Sequence, residues 1–195
     1  MRRLILASLS PRRADLLRGA GYRIEVRPSR VQESVSSQLS PRELTLFNAR
    51  LKARRIADEH PEAVVLGADT VVACGPKVFG KPADLHSAAA MLGELAGKTH
   101  LVVTGYCLIC RACAKAKGDA EFSYVTLKPL TPQQISEYHA LVDPLDKAGA
   151  YAAQSFPELV IDGVDGPFDN VLGLPVASVG RALAEFEVFP VDHKE

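Results

Sequence analysis

The chain has 195 residues, of which 47% are hydrophobic and 24% charged, as is typical of a soluble globular protein with a sizeable core. Its 23 lysines and arginines balance its 23 aspartates and glutamates, which argues against DNA or RNA as the main partner because such proteins usually carry a basic excess. No apolar run approaches the roughly 18 residues of a membrane span. The apolar run near the N-terminus, residues 4–7, ends at Ser8 and is too short for a secretory signal, so we expect a cytoplasmic protein without a membrane partner.

Apolar runs alternate with helical segments along the chain, which predicts an α/β fold. Helix starts are indicated at Ser10, Ser40 and Thr131, each of which directly precedes a proline. The predicted order is a strand over 3–7, a helix over 12–18, a strand over 22–27, a helix over 41–59, strands over 64–73 and 77–79, a helix over 84–96, strands over 99–113 and 120–127, and helices over 132–141 and 178–186.

Three finer features can be predicted within this order. Leu44, Phe47 and Leu51 have helical spacing, so we expect them to form the buried face of the long helix. The polar, lysine-rich segment 115–119 predicts a turn between two strands. The stretch 143–175 is rich in glycine, aspartate and proline, which predicts an irregular region that builds part of a site.

The four cysteines include a C-x-x-C pair, Cys110 and Cys113, which is typical of a redox pair or half of a zinc site. A zinc site needs a second pair or suitably spaced histidines, and the sequence offers neither. Cys107 and Cys110 also lie in an apolar run that predicts a strand. We therefore expect all four cysteines, including Cys74, to be free thiols in a reducing cytosol.

Arg12 and Arg13 fall in the first turn of the first predicted helix, where the helix dipole disfavours cations. That turn has free backbone N–H groups, and the hydroxyls of Ser8 and Ser10 come just before it. A strand that leads into a helix N-terminus favours anion binding, and two arginines suit a phosphate chain. A solvated basic turn with a serine cap explains the same pattern equally well.

Asp69 interrupts the strongly apolar run over 64–73. Aspartate has a low strand propensity and is costly to bury unpaired, so this position favours a metal ligand or a general base that faces a cleft. An aspartate that caps a turn is the alternative. The segment 146–151 combines small residues with a lysine and a tyrosine, so its backbone is open to a ligand, although a surface loop is equally consistent.

Short motifs are spread over nearly the whole chain. They are Leu6-Ala7-Ser8-Leu9-Ser10-Pro11-Arg12-Arg13, Glu33-Ser34, Asn48-Ala49 with Lys52-Ala53, Gly67-Ala68-Asp69-Thr70-Val71-Val72, Gly80-Lys81-Pro82, Val103-Thr104-Gly105, Asp146-Lys147-Ala148-Gly149-Ala150-Tyr151 and Asn170-Val171-Leu172-Gly173-Leu174-Pro175. Each motif alone is weak. In this order and at this spacing, they resemble the Maf family, nucleotide pyrophosphatases once named for inhibition of septum formation.

This resemblance implies an elongated, two-lobed α/β fold with a mixed sheet, similar to inosine-triphosphate pyrophosphatases, with the active-site cleft between the lobes. We expect residues 1–195 to form one such domain. The resemblance also implies hydrolysis of a nucleoside triphosphate to the monophosphate and pyrophosphate, assisted by Mg²⁺ or Mn²⁺. A homodimer is implied in the same way.

The resemblance also implies roles for individual residues. Asp69 matches the catalytic aspartate that accepts a proton from the attacking water, and Glu33 is expected to hold the metal together with it. The expected substrate-binding residues are Ser8, Ser10, Arg12, Lys52 and Lys81. Among these, the three cations would hold the β and γ phosphates.

Three further positions distinguish branches of the family, and Arg13, Thr70 and Gln154 resemble the branch that cleaves dTTP and UTP. A house-cleaning enzyme with a link to cell-division arrest is therefore expected. The alternatives are a nucleotide-binding regulator of septum formation with little turnover, a purine-directed house-cleaning pyrophosphatase, and a plain structural or interaction domain.

Overall fold

A computed structural model describes residues 2–36 and 38–191 and contains a mixed sheet with helices on both faces. Its strands are β1 (Leu4–Leu6), β2 (Ile24–Val26), β3 (Val64–Cys74), β4 (Lys77–Phe79), β5 (Thr99–Cys110), β6 (Lys115–Leu127) and β7 (Ile161–Asp165). Its helices are α1 (Pro11–Gly19), α2 (Pro41–Glu59), α3 (Leu85–Leu95), α4 (Pro132–Leu141), α5 (Pro157–Val160), α6 (Phe168–Val171) and α7 (Val176–Ala184), with a 3-10 turn at Ala148–Ala150. No helix within the described ranges is long and apolar enough to cross a membrane.

The strands follow the order β2-β1-β3-β5-β6-β7, and β4 also pairs with β3. β1 runs parallel to β2 and β3, whereas the other described pairings are antiparallel. β1 and most of β3 read as continuous apolar runs because both of their faces are covered. The predicted α/β fold with a mixed sheet is therefore confirmed.

Two hydrophobic clusters lie at different levels of the sheet. The first joins α1 and α7 to β1 and β3, and the second joins α3 and α4 to the far halves of β3, β5 and β6. β3 contributes Leu66 to the first cluster and Val72 to the second, a separation of about 20 Å along a strand. The single domain over 1–195 stays a prediction, because residues 1, 37 and 192–195 lie outside the described ranges.

Helix α2 lies directly on the sheet because glycines remove the side chains beneath it. A Cβ atom on Gly67 would lie 2.7 Å from the Ala53 nitrogen, and one on Gly105 would lie 2.6 Å from the Thr45 carbonyl carbon. The α2 side chains that meet these glycines are the small ones of Thr45 and Ala53. The whole buried face of α2 is Leu44, Thr45, Asn48, Ala49, Lys52, Ala53, Ile56 and Ala57. The predicted burial of Leu44 is confirmed, Leu51 is half-buried, and the prediction for Phe47 is wrong, since this side chain is 48% exposed.

The predicted turn at 115–119 is also wrong. This segment is the first part of β6, which pairs with β5 from Cys110–Lys115 onwards, and the turn lies at residues 111–114. Contacts with the end of α7 hold the polar segment in the sheet. The Lys115 ammonium lies 4.9 Å from the centre of the Phe186 ring, and Lys117 forms an ion pair with Glu185.

The cysteine prediction is half right. Cys74 and Cys107 are free, and burial raises the pKa of the Cys107 thiol to about 11. Cys110 and Cys113 instead form a disulfide. The turn at 111–114 brings their Cα atoms to 5.4 Å, a separation that a disulfide spans.

Candidate active site

One edge of β3 is open next to the start of α1. β1 pairs with residues 64–66 of β3 and β4 pairs with residues 72–74 on the same edge, because β5 occupies the other edge. No described strand pairs with residues 67–71 on this edge. The chain leaves β1 here, and the connection to α1 lies beside the opening. The opening falls between the two hydrophobic clusters, and we place the candidate active site there.

Asp69 lies in the middle of β3, on the face that α2 covers, so the alternative of a turn cap is wrong. Its carboxylate is buried and both of its oxygens accept a hydrogen bond from α2. The Lys52 ammonium donates to Oδ1 at 2.8 Å, and the Asn48 amide donates to Oδ2 at 3.0 Å. Because Asn48 and Lys52 are four residues apart, one face of the helix presents both donors.

Glu33 reaches the same lysine from the loop before α2. Its Oε1 lies 2.9 Å from the Lys52 nitrogen. The side chains of Lys52 and Asp69 are each only 8% exposed, whereas that of Glu33 is 51% exposed. The cluster therefore has one ammonium between a buried carboxylate and a solvent-facing carboxylate. Hard divalent cations bind this type of oxygen donor together with substrate phosphates.

These two carboxylates are the whole of the predicted metal set. Among residues 2–36 and 38–191, no three or more histidine, cysteine, aspartate or glutamate side chains are grouped closely enough to hold a metal by themselves. A cation that uses one or two carboxylates plus substrate phosphates does not need such a cage. The donor chemistry of Glu33 and Asp69 thus fits a metal that arrives with the nucleotide.

Arg13 is buried rather than solvated, so the alternative of a solvated basic turn fails for this residue. It donates to the carbonyl oxygens of Gly173 at 2.7 Å and Ala68 at 3.0 Å, and to the hydroxyls of Thr70 at 2.9 Å and Ser8 at 3.2 Å. Burial lowers the pKa of Arg13 below its usual value, while the negative charge of Asp69 opposes this shift. The guanidinium therefore joins α1, β3 and the loop before α7.

Arg12 contacts the segment 146–151. Its Nη1 lies 3.0 Å from Oδ2 of Asp146, which also forms an ion pair with Lys147. Burial alone would raise the pKa of Asp146, but the hydrogen bond from Lys147 and the charge of Arg12 lower it. The segment 146–151, which the sequence left open as a ligand site or a surface loop, thus contacts the first turn of α1.

Ser8 and Ser10 lie where the sequence predicts, at the start of α1. The Ser8 hydroxyl accepts a hydrogen bond from the Ser10 backbone N–H at 3.2 Å and is buried. Ser10 occupies the N-cap position, but its side chain makes no capping hydrogen bond with the described residues. Its hydroxyl is therefore available to a ligand.

Lys81 and Gln154 are exposed, and neither forms a hydrogen bond or ion pair within the described ranges. Gly80, which precedes Lys81, accepts a hydrogen bond from the Gly149 backbone N–H at 3.3 Å, so the lysine is tethered beside the segment 146–151. No hydrogen bond joins Gln154 to Arg13 or Thr70 in the described part of the chain. The structure thus brings together two of the three predicted specificity residues.

Two participants were not assigned a role from the sequence. Asn48 was noted only as part of a motif, although its spacing of four from Lys52 predicts a shared helix face. Asp146 contacts Arg12 across 134 residues of sequence, and no local pattern indicates such a pair. A surface depression of about 710 Å³ also borders Glu33 and is lined in addition by Gln32, Ser34, Val35, Ser36, Gln38, Phe47 and Leu51.

A family model described as Maf-like protein matches residues 3–186. The chain belongs to the Maf family. Proteins named dTTP/UTP pyrophosphatase are similar to it over nearly their whole length. The one from Moorella thermoacetica is 43% identical, covering 96% of this chain and 97% of that protein. The one from Bacillus pumilus is 41% identical, covering 97% and 100%.

A crystal structure of a nucleoside-triphosphatase, named dITP/XTP pyrophosphatase, from Mycobacterium abscessus is also similar. It is 14% identical, with a TM-score of 0.44, and the match covers 94% of this chain and 98% of that chain.

Proposed function

We propose that this Maf protein hydrolyses dTTP and UTP to the nucleoside monophosphate and pyrophosphate. The observation that carries the proposal is the buried ion pair of Lys52 and Asp69 at the open edge of β3, beside the start of α1. It is supported by the relatives named dTTP/UTP pyrophosphatase, which are up to 43% identical to this chain. A protein that only binds nucleotides would have no need for a buried carboxylate at this place.

The barrier to this reaction is largely electrostatic, because water must attack an anionic substrate and a polyanion must leave. In our proposal, Arg12, Lys52 and Lys81 hold the β and γ phosphates. The free N–H groups of the first turn of α1 and the hydroxyls of Ser8 and Ser10 bind phosphate oxygens. These donors stabilise the charge that moves onto the pyrophosphate as the bond to the α-phosphorus breaks.

Asp69 accepts a proton from the attacking water in this scheme. Each of its oxygens accepts one hydrogen bond from α2, so each retains a lone pair for the water. Lys52 donates to Oδ1 of this carboxylate at 2.8 Å and so orients it. A base within hydrogen-bond reach of the water accelerates such reactions by about 100- to 10,000-fold.

Glu33 and Asp69 would hold Mg²⁺ or Mn²⁺ together with substrate phosphates. When bound, the cation neutralises phosphate charge and favours attack at phosphorus. Lys52 occupies the space between these carboxylates. Its ammonium balances their charge before the nucleotide arrives.

Arg13, Thr70 and Gln154 select the nucleobase in our proposal. The Thr70 hydroxyl accepts from Arg13 at 2.9 Å and lies 2.9 Å from the Thr104 hydroxyl, so its orientation is fixed and its remaining lone pair is an acceptor for a ligand. Gln154 is exposed and free to turn toward the base. The hydrogen bonds made by such groups discriminate well against analogues that leave them unpaired.

Purified protein with Mg²⁺ should be tested against dTTP, UTP, CTP, GTP, ITP and dATP, with separate detection of pyrophosphate and phosphate. We expect pyrophosphate from dTTP and UTP at rates at least about tenfold above those for the purines. Nucleotide binding without pyrophosphate release would favour the septum-regulator alternative. A preference for ITP or GTP would favour the purine-directed alternative.

We also propose a cytoplasmic homodimer with a house-cleaning role. Light scattering of the purified protein tests the dimer, and a monomeric mass would contradict it. Accumulation of dTTP in cells that lack the protein tests the role.

A further inference from the structure

Asn48 has an amide group that uses both of its N–H donors and its oxygen within the candidate site. Its Oδ1 accepts from the Ser34 backbone N–H at 2.8 Å, and its Nδ2 donates to the Ser34 carbonyl at 3.1 Å. The second N–H of Nδ2 donates to Oδ2 of Asp69 at 3.0 Å. The residue is 2% exposed, and a buried amide in this arrangement has one rotational state that satisfies all its partners.

These bonds close a ring of contacts around the two carboxylates. Asn48 joins Asp69 to the backbone of Ser34, the neighbour of Glu33. Lys52, one turn along α2, joins the carboxylates of Glu33 and Asp69 at 2.9 and 2.8 Å. Asn48 and Lys52 therefore both join the loop before α2 to strand β3, Asn48 through the Ser34 backbone and Lys52 through the Glu33 carboxylate.

We propose that Asn48 is a positioning residue for the hydrolytic reaction, which orients the Asp69 carboxylate and places the Glu33 segment beside it. This inference rests on the proposed function. Lys52 holds only Oδ1, and a single bond leaves a carboxylate free to rotate about its Cβ–Cγ bond. The bond from Asn48 to Oδ2 removes that rotation, so the remaining lone pairs keep a fixed direction toward the attacking water.

The neutrality of Asn48 matters as much as its geometry. The cluster already holds one cation, Lys52, and two carboxylates, Glu33 and Asp69, with the guanidinium of Arg13 on the other face of β3. An acidic side chain in place of Asn48 would add a second negative charge against Asp69 and would remove its donor. Only a neutral donor holds Asp69 without altering this charge balance.

The test compares Asn48→Ala and Asn48→Asp with Arg50→Ala, a matched control on the exposed face of α2. Turnover of dTTP is measured alongside the affinity for a non-hydrolysable dTTP analogue. For Asn48→Ala, we expect kcat to fall by about 10- to 100-fold while the affinity changes by less than about threefold. Arg50→Ala should keep the wild-type kcat.

Asn48→Asp keeps the shape of the side chain and the acceptor for the Ser34 N–H, but an oxygen replaces the donor to the Ser34 carbonyl and to Asp69. Circular dichroism of both variants shows that each is folded before its kcat is compared. At about pH 8 the introduced carboxylate repels Asp69, and we expect a loss of kcat at least as large as for Asn48→Ala.

Asn48→Ala with a kcat within about threefold of wild type would overturn the inference, as would equal losses of kcat and affinity in both variants. An Asn48→Asp variant that keeps the wild-type kcat at about pH 8 would also overturn it. A wild-type protein that releases no pyrophosphate from dTTP overturns the proposed function itself, so the two failures are distinguishable.

Discussion

His100 is a buried base whose protonation we expect to destabilise the fold as the pH falls. It lies on β5, is 2% exposed, and its Nε2 is 2.9 Å from the Tyr151 hydroxyl. Its Nδ1 has no hydrogen-bond partner among the described residues. Burial disfavours the charged ring and lowers the pKa of His100 from 6.5 to about 4.

The sign and size of the effect follow from this shift in the pKa of His100. Between about pH 6.5 and about pH 4, the unfolded chain binds a proton that the folded chain does not, so stability decreases as the pH falls through this window. The full shift corresponds to roughly 3 kcal/mol of unfolding free energy. About 2 kcal/mol of this is lost between about pH 7 and about pH 5.

Urea unfolding of the wild type and of His100→Gln at these two pH values isolates the effect. Glutamine does not titrate, and its amide can still bond to the Tyr151 hydroxyl. All other ionisable groups are common to both proteins. We expect the wild type to lose about 2 kcal/mol more than the variant on acidification. Equal losses would show that the burial of the His100 ring does not govern its titration.

Other predictions concern the site and its support. Asp69→Asn should fold but lose pyrophosphate release by about 100- to 10,000-fold, and turnover near that of the wild type would refute its role as the base. Arg13→Lys should lower the free energy of unfolding by about 2 to 4 kcal/mol in urea, because a lysine cannot replace four hydrogen bonds; an unchanged midpoint would contradict this. Gln154→Ala should change the ratio of dTTP to ITP turnover without changing stability, since Gln154 is exposed, and an equal fall for all substrates would refute its specificity role. Gly67→Ala should lower both stability and kcat, because α2 must move away from β3, and a thermal melt like that of the wild type would contradict this contact.

Local sequence signals were enough to predict most of the elements. Helices do begin after Ser40 and Thr131, and at both residues the side-chain oxygen accepts from the backbone N–H three residues later, which forms a capping box. These bonds depend only on neighbouring residues, so the sequence specifies them directly. The position of Asp69 within an apolar strand was likewise visible in the sequence. A buried carboxylate needs polar partners, so the sequence indicated that other parts of the fold supply them.

Features that depend on tertiary contacts were not predictable in this way. Phe47 matches the helical spacing of a core residue, but the close approach of α2 to Gly67 and Gly105 turns the face of Thr45, Ala49 and Ala53 to the sheet and leaves Phe47 outside it. The lysines of 115–119 stay in a strand because the end of α7 supplies partners for them. The burial of Arg13 depends on the Gly173 carbonyl, 160 residues away.

Hydrolysis of dTTP in water enriched in the heavy oxygen isotope tests the central claim most directly, which is attack on the α-phosphorus with Asp69 as the base. We predict that the isotope enters dTMP alone, that pyrophosphate remains unlabelled, and that Asp69→Asn forms little labelled dTMP. Label in pyrophosphate or in released phosphate would contradict attack at the α-phosphorus. Labelled dTMP formed equally fast by Asp69→Asn would contradict the role of this carboxylate.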